Sequence, residues 1–155
     1  MTALFAPSRR SALALSAGAA LLLAAVAPAL GQSWRSDGAV AGFTAGAGFT
    51  GLTFRCASAG RVTVSFSGFP GRLQAGQAHT VVATVDDTAF VLEAIARDAG
   101  GGSILVAEGT LAARAGFIEA LRKGRGVEVA GPVGRYSLPL TGSGDALAAF
   151  TQGCG

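Results

Sequence analysis

Few side chains in this 155-residue chain can do chemistry: it has one histidine, two cysteines, one tryptophan, one tyrosine and no asparagine. His79 is the sole imidazole available as a general base. Ser143, in Gly142-Ser143-Gly144, is a nominal nucleophile, and Asp145 completes a nominal Ser/His/Asp set. The flanking residues fall short of the G-x-S-x-G elbow, whose sharp strand-to-helix turn exposes its serine. Ser143 and Asp145 have a simpler use at a helix start: a hydroxyl caps the first N–H groups, and a carboxylate complements the positive helix end. A small hydrolase using His79 with Ser143 is therefore an alternative, not the expectation. Asp86-Asp87 is a carboxylate pair of the type used in general acid–base chemistry. Adjacent strand residues point to opposite faces, however, and a turn solvates both. Too few oxygen donors surround the pair for calcium, and one His with two Cys is too few for a Cys/His zinc site. The sequence thus assigns no catalytic, cofactor-binding or metal-ligating residue and implies no cofactor.

Gly46-Ala47-Gly48-Phe49-Thr50-Gly51 matches G-x-G-x-x-G. In a dinucleotide fold that spacing brings pyrophosphate onto a helix start. Here the residues that follow alternate like a strand, so the match predicts a turn. The tetrapeptide Ala41-Gly42-Phe43-Thr44 recurs as Ala47-Gly48-Phe49-Thr50, reading as two strand segments around a glycine turn. Arg122, Lys123 and Arg125 cluster where a helix should end, complementing its negative end. They also form a possible docking patch for an anionic envelope component. Trp34 is expected to plug the sheet, with an exposed anchor as the alternative.

The elements that must position these groups are mostly strands. Leu52, Phe54 and Cys56 alternate with Thr53 and Arg55; Val62, Val64 and Phe66 alternate with Thr63 and Ser65. Period-2 alternation marks half-buried strands, and the short link between the two runs predicts a hairpin. Thr80–Val85 and Thr88–Ala96 flank Asp86-Asp87, and Gly126–Ala130 and Arg135–Leu140 flank Gly131-Pro132-Val133-Gly134, giving two more hairpins. Ser103–Ala107 is a further strand after the triple glycine 100–102. A helix is expected over 111–123, with Leu111, Phe117, Ile118 and Leu121 on one face and Gly124 as its stop. A second should run from Gly144 to about Gln152, capped by Ser143. The fold class is mainly β (α+β): an antiparallel sandwich or open barrel of about 7–8 strands with two short helices near the C-terminus.

Composition sets the context. Half the residues are apolar and 14% charged, which argues against a disordered chain. Ser8-Arg9-Arg10 followed by an apolar run over 11–26 reads as an export signal. Cleavage after Gly31 would leave a single domain, 32–155, and a retained membrane anchor is the alternative. Ser8-Arg9-Arg10-Ser11-Ala12-Leu13 also partly matches a twin-arginine signal, with Ala12 where a large apolar residue is usual. Residues 32–155 hold ten basic and nine acidic side chains, so the formal charge of +3 falls to +1 and no nucleic-acid footprint remains. Cys56 and Cys154 both lie in the exported part, where an oxidising compartment favours joining them. A bridge closing a loop of roughly 100 residues contributes about 4–5 kcal/mol in the chain-entropy model.

Val127-Glu128-Val129, the run from Tyr136 to Leu147 (YSLPLTGSGDAL) and the final Cys154 form a strand, a small-residue turn and an Ala-Leu helix. This resembles the end of small exported bacterial proteins of the invasion-associated locus B family. It is also similar to periplasmic accessory proteins associated with type VI secretion. The resemblance implies a β-rich periplasmic protein of Gram-negative bacteria, without catalytic residues to carry over. The expectation is a non-catalytic periplasmic or secreted module that binds an envelope protein or surface polymer, with no stable membrane insertion after signal cleavage. A small apolar-ligand carrier is the other alternative.

Overall fold

A computed structural model describes residues 31–155, apart from 47 and 59. The expected export signal lies outside the described residues except for Gly31. The described residues form nine strands, of which β4, β5 and β6 alternate buried apolar and more exposed side chains most regularly: β1 (Gln32–Ser36), β2 (Val40–Ala45), β3 (Gly48–Ser58), β4 (Arg61–Phe66), β5 (Ala78–Val85), β6 (Thr88–Asp98), β7 (Ser103–Thr110), β8 (Gly126–Gly131) and β9 (Gly134–Pro139). Helix α1 (Leu111–Lys123) links β7 to β8, and α2 (Ser143–Cys154) follows β9.

All nine strands join one antiparallel sheet in the order β1-β2-β3-β4-β7-β6-β5-β8-β9. The sheet curls into a half-barrel, so the open-barrel alternative holds and the sandwich does not. The strand missing from the sequence reading is β1. Of its five residues only Trp34 is a large apolar one, so no alternation announces it. Trp34 is nonetheless buried, and its Nε1 donates to the Pro139 carbonyl at 2.9 Å. That bond ties the first strand to the last, across a seam that no backbone ladder closes. Tyr136 adds a second tie, its hydroxyl donating to the Gly51 carbonyl at 2.9 Å. Gly51 is backed by Leu138 and has φ +69°, a left-handed conformation that disfavours other residues.

Both helices pack on the inward face. Phe117, Ile118 and Leu121 of α1 and Ala146, Leu147 and Phe150 of α2 are buried there. The Phe54 ring on β3 lies 5.8 Å from Phe117 and 6.0 Å from Phe150, between centroids. Aromatic side chains therefore fill the trough that an apolar-ligand carrier would leave open. At one end the 67–77 connection crosses the sheet: the Leu73 N–H donates to Ser103 Oγ at 2.8 Å, and Phe69 packs on Tyr136.

Two helix ends differ from expectation. Gly142, with φ +85°, occupies the N-cap of α2, and Ser143 is its first helical residue. The Ser143 hydroxyl lies 2.6 Å from the Leu140 carbonyl and 2.7 Å from the Leu121 carbonyl, so it caps nothing and instead ties α2 to the end of α1. Gly124 does end α1, but in an extended conformation rather than a left-handed one. It is needed because a Cβ there would stand 2.5 Å from Val85 Cγ1.

Candidate functional site

Thr110 opens α1. Its Oγ1 accepts from the Ala113 N–H at 3.1 Å, and the Leu111 N–H donates to the Gly60 carbonyl at 2.8 Å. These bonds satisfy two of the donors that a helix start leaves without intrahelical partners. With Phe117, Ile118 and Leu121 turned inward, the flank of α1 beside α2 carries Leu111, Ala112 and Ala115. Small residues there leave a groove of about 570 Å³, bounded by Gly60, Thr110, Ile118, Glu119, Arg122 and Thr151 as well. Leu111, Ala115 and Arg122, with the buried Ile118 as the floor between them, repeat at four, three and four residues, the spacing that a helix presents to a helix laid along it. Eleven residues at the helical rise make this seam about 16 Å long, or three turns.

Of the expected basic patch, Arg122 lies at the far end of the groove, and two of the three charges share one carboxylate. Glu119 pairs with Lys123 at 2.8 Å and with Arg122 at 2.9 Å. Its carboxyl is held below the ordinary range, first by the Lys123 hydrogen bond and further by the two positive charges. The Arg125 N–H donates to Asp86 at 3.3 Å, and the Gly126 N–H to the same carboxylate at 3.4 Å. Asp86 has φ +48°, which Asp tolerates better than most residues. The Asp86-Asp87 turn borders a hollow shared with Lys123 and Gly124. Arg122 and Lys123 thus share the Glu119 carboxylate, whereas Arg125 meets Asp86 through its backbone N–H.

The nominal Ser/His/Asp set does not assemble. Ser143 is buried at the end of α1, close to where Leu140 and Val85 meet Gly124. His79 sits six residues from Val85, at the opposite end of β5, a span of about 20 Å along a strand. Its Nε2 is buried without a hydrogen-bond partner among the described residues. The G-x-G-x-x-G glycines form the β2–β3 turn and the start of β3, with no helix start beside them. Cys56 and Cys154 are joined, fixing the end of α2 to β3.

Sequence reasoning missed the groove. Its one legible signal is Thr110 before a run whose Ala112 and Ala115 are too small to fill the flank that they occupy. Among the described residues Phe49, Val91 and Ile95 are also exposed, and on β6 Glu93 stands between Val91 and Ile95 and breaks the surface. Among the described residues no cluster of three His, Cys, Asp or Glu is placed to hold a metal, and no helix is long and apolar enough to cross a membrane. Comparison with protein-family models, curated proteins and solved structures finds no match to this chain.

Proposed function

We propose that this chain is a non-catalytic exported interaction module of the bacterial envelope, whose α1–α2 groove seats an amphipathic helix of an envelope protein. The groove carries the reading: it is mainly apolar, about three helical turns long and lined at helical spacing. A hydrophobic groove of this form is a recurrent receptor for a helix that presents one apolar face. A surface polymer would need convergent polar groups, whereas the polar side chains here are engaged within the chain: Glu119 pairs with Arg122, and the Thr110 and Thr151 hydroxyls bond their own helices. The net positive balance of Glu119 with Arg122 and Lys123 favours an acidic residue at the matching end of the partner helix. Export rests on the 1–31 segment, and a periplasmic setting agrees with the disulfide and with the resemblance of the C-terminal third.

The test is a photo-crosslinking residue in place of Ala115, activated in cells, with the adduct mapped by mass spectrometry. Adducts to one helical segment of a single envelope protein, lost in an Arg122→Glu background, are the expected result. Adducts scattered over many proteins would overturn the reading. The groove volume also falls within the range of small-ligand pockets, which keeps the apolar-ligand carrier as a second reading. Native mass spectrometry of the purified chain showing a bound lipid or other apolar small molecule would favour it.

A further inference from the structure

We infer that the Cys56–Cys154 disulfide gates the groove, so that a dithiol reductant switches its helix-binding surface off. This inference rests on the groove being the docking surface, and it adds a means of regulation. Gly60 is the hinge of the argument. Its N–H donates to the Cys154 carbonyl at 2.7 Å, and its own carbonyl accepts from the Leu111 N–H at 2.8 Å. A continuous path therefore runs from the disulfide through the end of α2 and Gly60 to the first residue of α1. Gly60 and Leu111 line the groove, as does Thr151 in the last turn of α2.

Besides the bridge, backbone contacts hold that last turn: the hydrogen bond from Gly60 to the Cys154 carbonyl and the close approach of Gly153 to Gly38. Phe150 is the final buried apolar anchor of α2; Thr151, Gln152 and Gly153 follow, and only then the bridged Cys154. Glycine is a poor helix former, and helix ends fray when tertiary contacts are few. Freed from Cys56, the turn would unwind, withdraw Thr151 from the groove and release the Gly60 N–H. Leu111 would then lose the fixed acceptor that sets the start of α1. The remaining barrel keeps its ladders and its Phe54–Phe117 contact, so the change stays local.

The chemistry is ordinary thiol–disulfide exchange. Cys154 is almost fully buried, whereas Cys56 is half-buried, so the attacking thiolate meets the Cys56 sulfur. A mixed disulfide forms there, the Cys56–Cys154 bond breaks, and Cys154 leaves as a thiolate that takes up a proton. The second thiol of the reductant then displaces Cys56 and closes its own disulfide. Two electrons pass from the dithiol to the protein.

Hydrogen exchange read by mass spectrometry on the full chain, oxidised and then reduced with dithiothreitol, tests the gate without any partner. Expected is an acceleration of exchange over the last turn of α2 and the first turn of α1 at least tenfold greater than any over β5 and β6, which lose only the global stability that the bridge supplies. Unchanged exchange at the start of α1 would overturn the gate. So would a uniform loss of protection, which would make the bridge a global staple. A C56S/C154S variant without reductant should reproduce the local pattern; if it fails to fold, the reduced native chain decides the matter. The Ala115 crosslink, repeated on both forms, separates the two readings. Local exchange changes with no crosslink to the oxidised chain would support the gate and overturn the helix-docking reading.

Discussion

Trp34 and Tyr136 hold the open seam of the barrel, each through one polar atom on a large apolar body. Trp34→Phe keeps most of the buried surface and loses the bond to Pro139, so about 1 kcal/mol of stability should go, read by denaturant unfolding. Burial pushes the Tyr136 phenol above its ordinary range. The unfolded chain then ionises first, near pH 10, and binds fewer protons than the folded chain above that point. Stability from this residue should be complete below about pH 10 and fall as pH rises beyond it. Thermal melts of the native chain and of Tyr136→Phe across that window check this, the variant showing the weaker decline. His79 and Ser143 were legible as residue types but not as a pair, because sequence does not say which end of β5 meets α2. Ser143 proves to be a tie between helices. Ser143→Ala should cost about 1 kcal/mol through the lost hydrogen bond.

Among elements, α1 was the most legible: a 3.6-residue pattern and a terminal Gly124 gave its bounds as found. Its N-cap was not read, although Thr110 stands where a cap belongs. Thr110→Ala should cost about 1 kcal/mol and speed hydrogen exchange in the first turn. Strand β1 was not legible, since Gln32, Ser33, Arg35 and Ser36 give no inward pattern and Trp34 alone faces the core. Its place is set by pairing with β2, from Gln32 opposite Ala45 to Ser36 opposite Ala41. Helix α2 runs to Cys154, beyond the expected end near Gln152, with Gly153 inside its last turn. Gly153 passes so close to the Gly38 carbonyl oxygen that an added Cβ would fall on it. Gly153→Ala should therefore destabilise the chain by about 1–3 kcal/mol, as overpacking does, and circular dichroism melts would show it.

At the scale of the molecule, a single sheet of nine strands is closed by side chains, two helices and one covalent bond. The bridge spans 98 positions in sequence, from β3 to the end of α2. A Cys56→Ala/Cys154→Ala variant should lose about 4–5 kcal/mol in the loop-entropy limit, and less if the unfolded chain stays compact. Denaturant titration of the variant against the oxidised chain measures the difference. The sheet order also brings β4 beside β7 rather than β5. This sends the 67–77 connection across one end of the barrel, where Phe69 and Leu73 cover the interior.

Periodicity and turn chemistry by themselves determined that the chain is mainly β, where most of its hairpins turn, that two helices come late, and which two cysteines were available to join. These are local properties, fixed by which face of each short segment is apolar and by which residues tolerate a turn. Only the tertiary structure decided that the strands form one curled sheet rather than two. It also separated His79 from Ser143, moved Ser143 from cap to tie, and set the small flank of α1 beside Gly60 and Thr151 to make a groove. Each of these depends on pairings between distant segments. Alternation tells a strand which side to bury, but not which neighbour to bury it against.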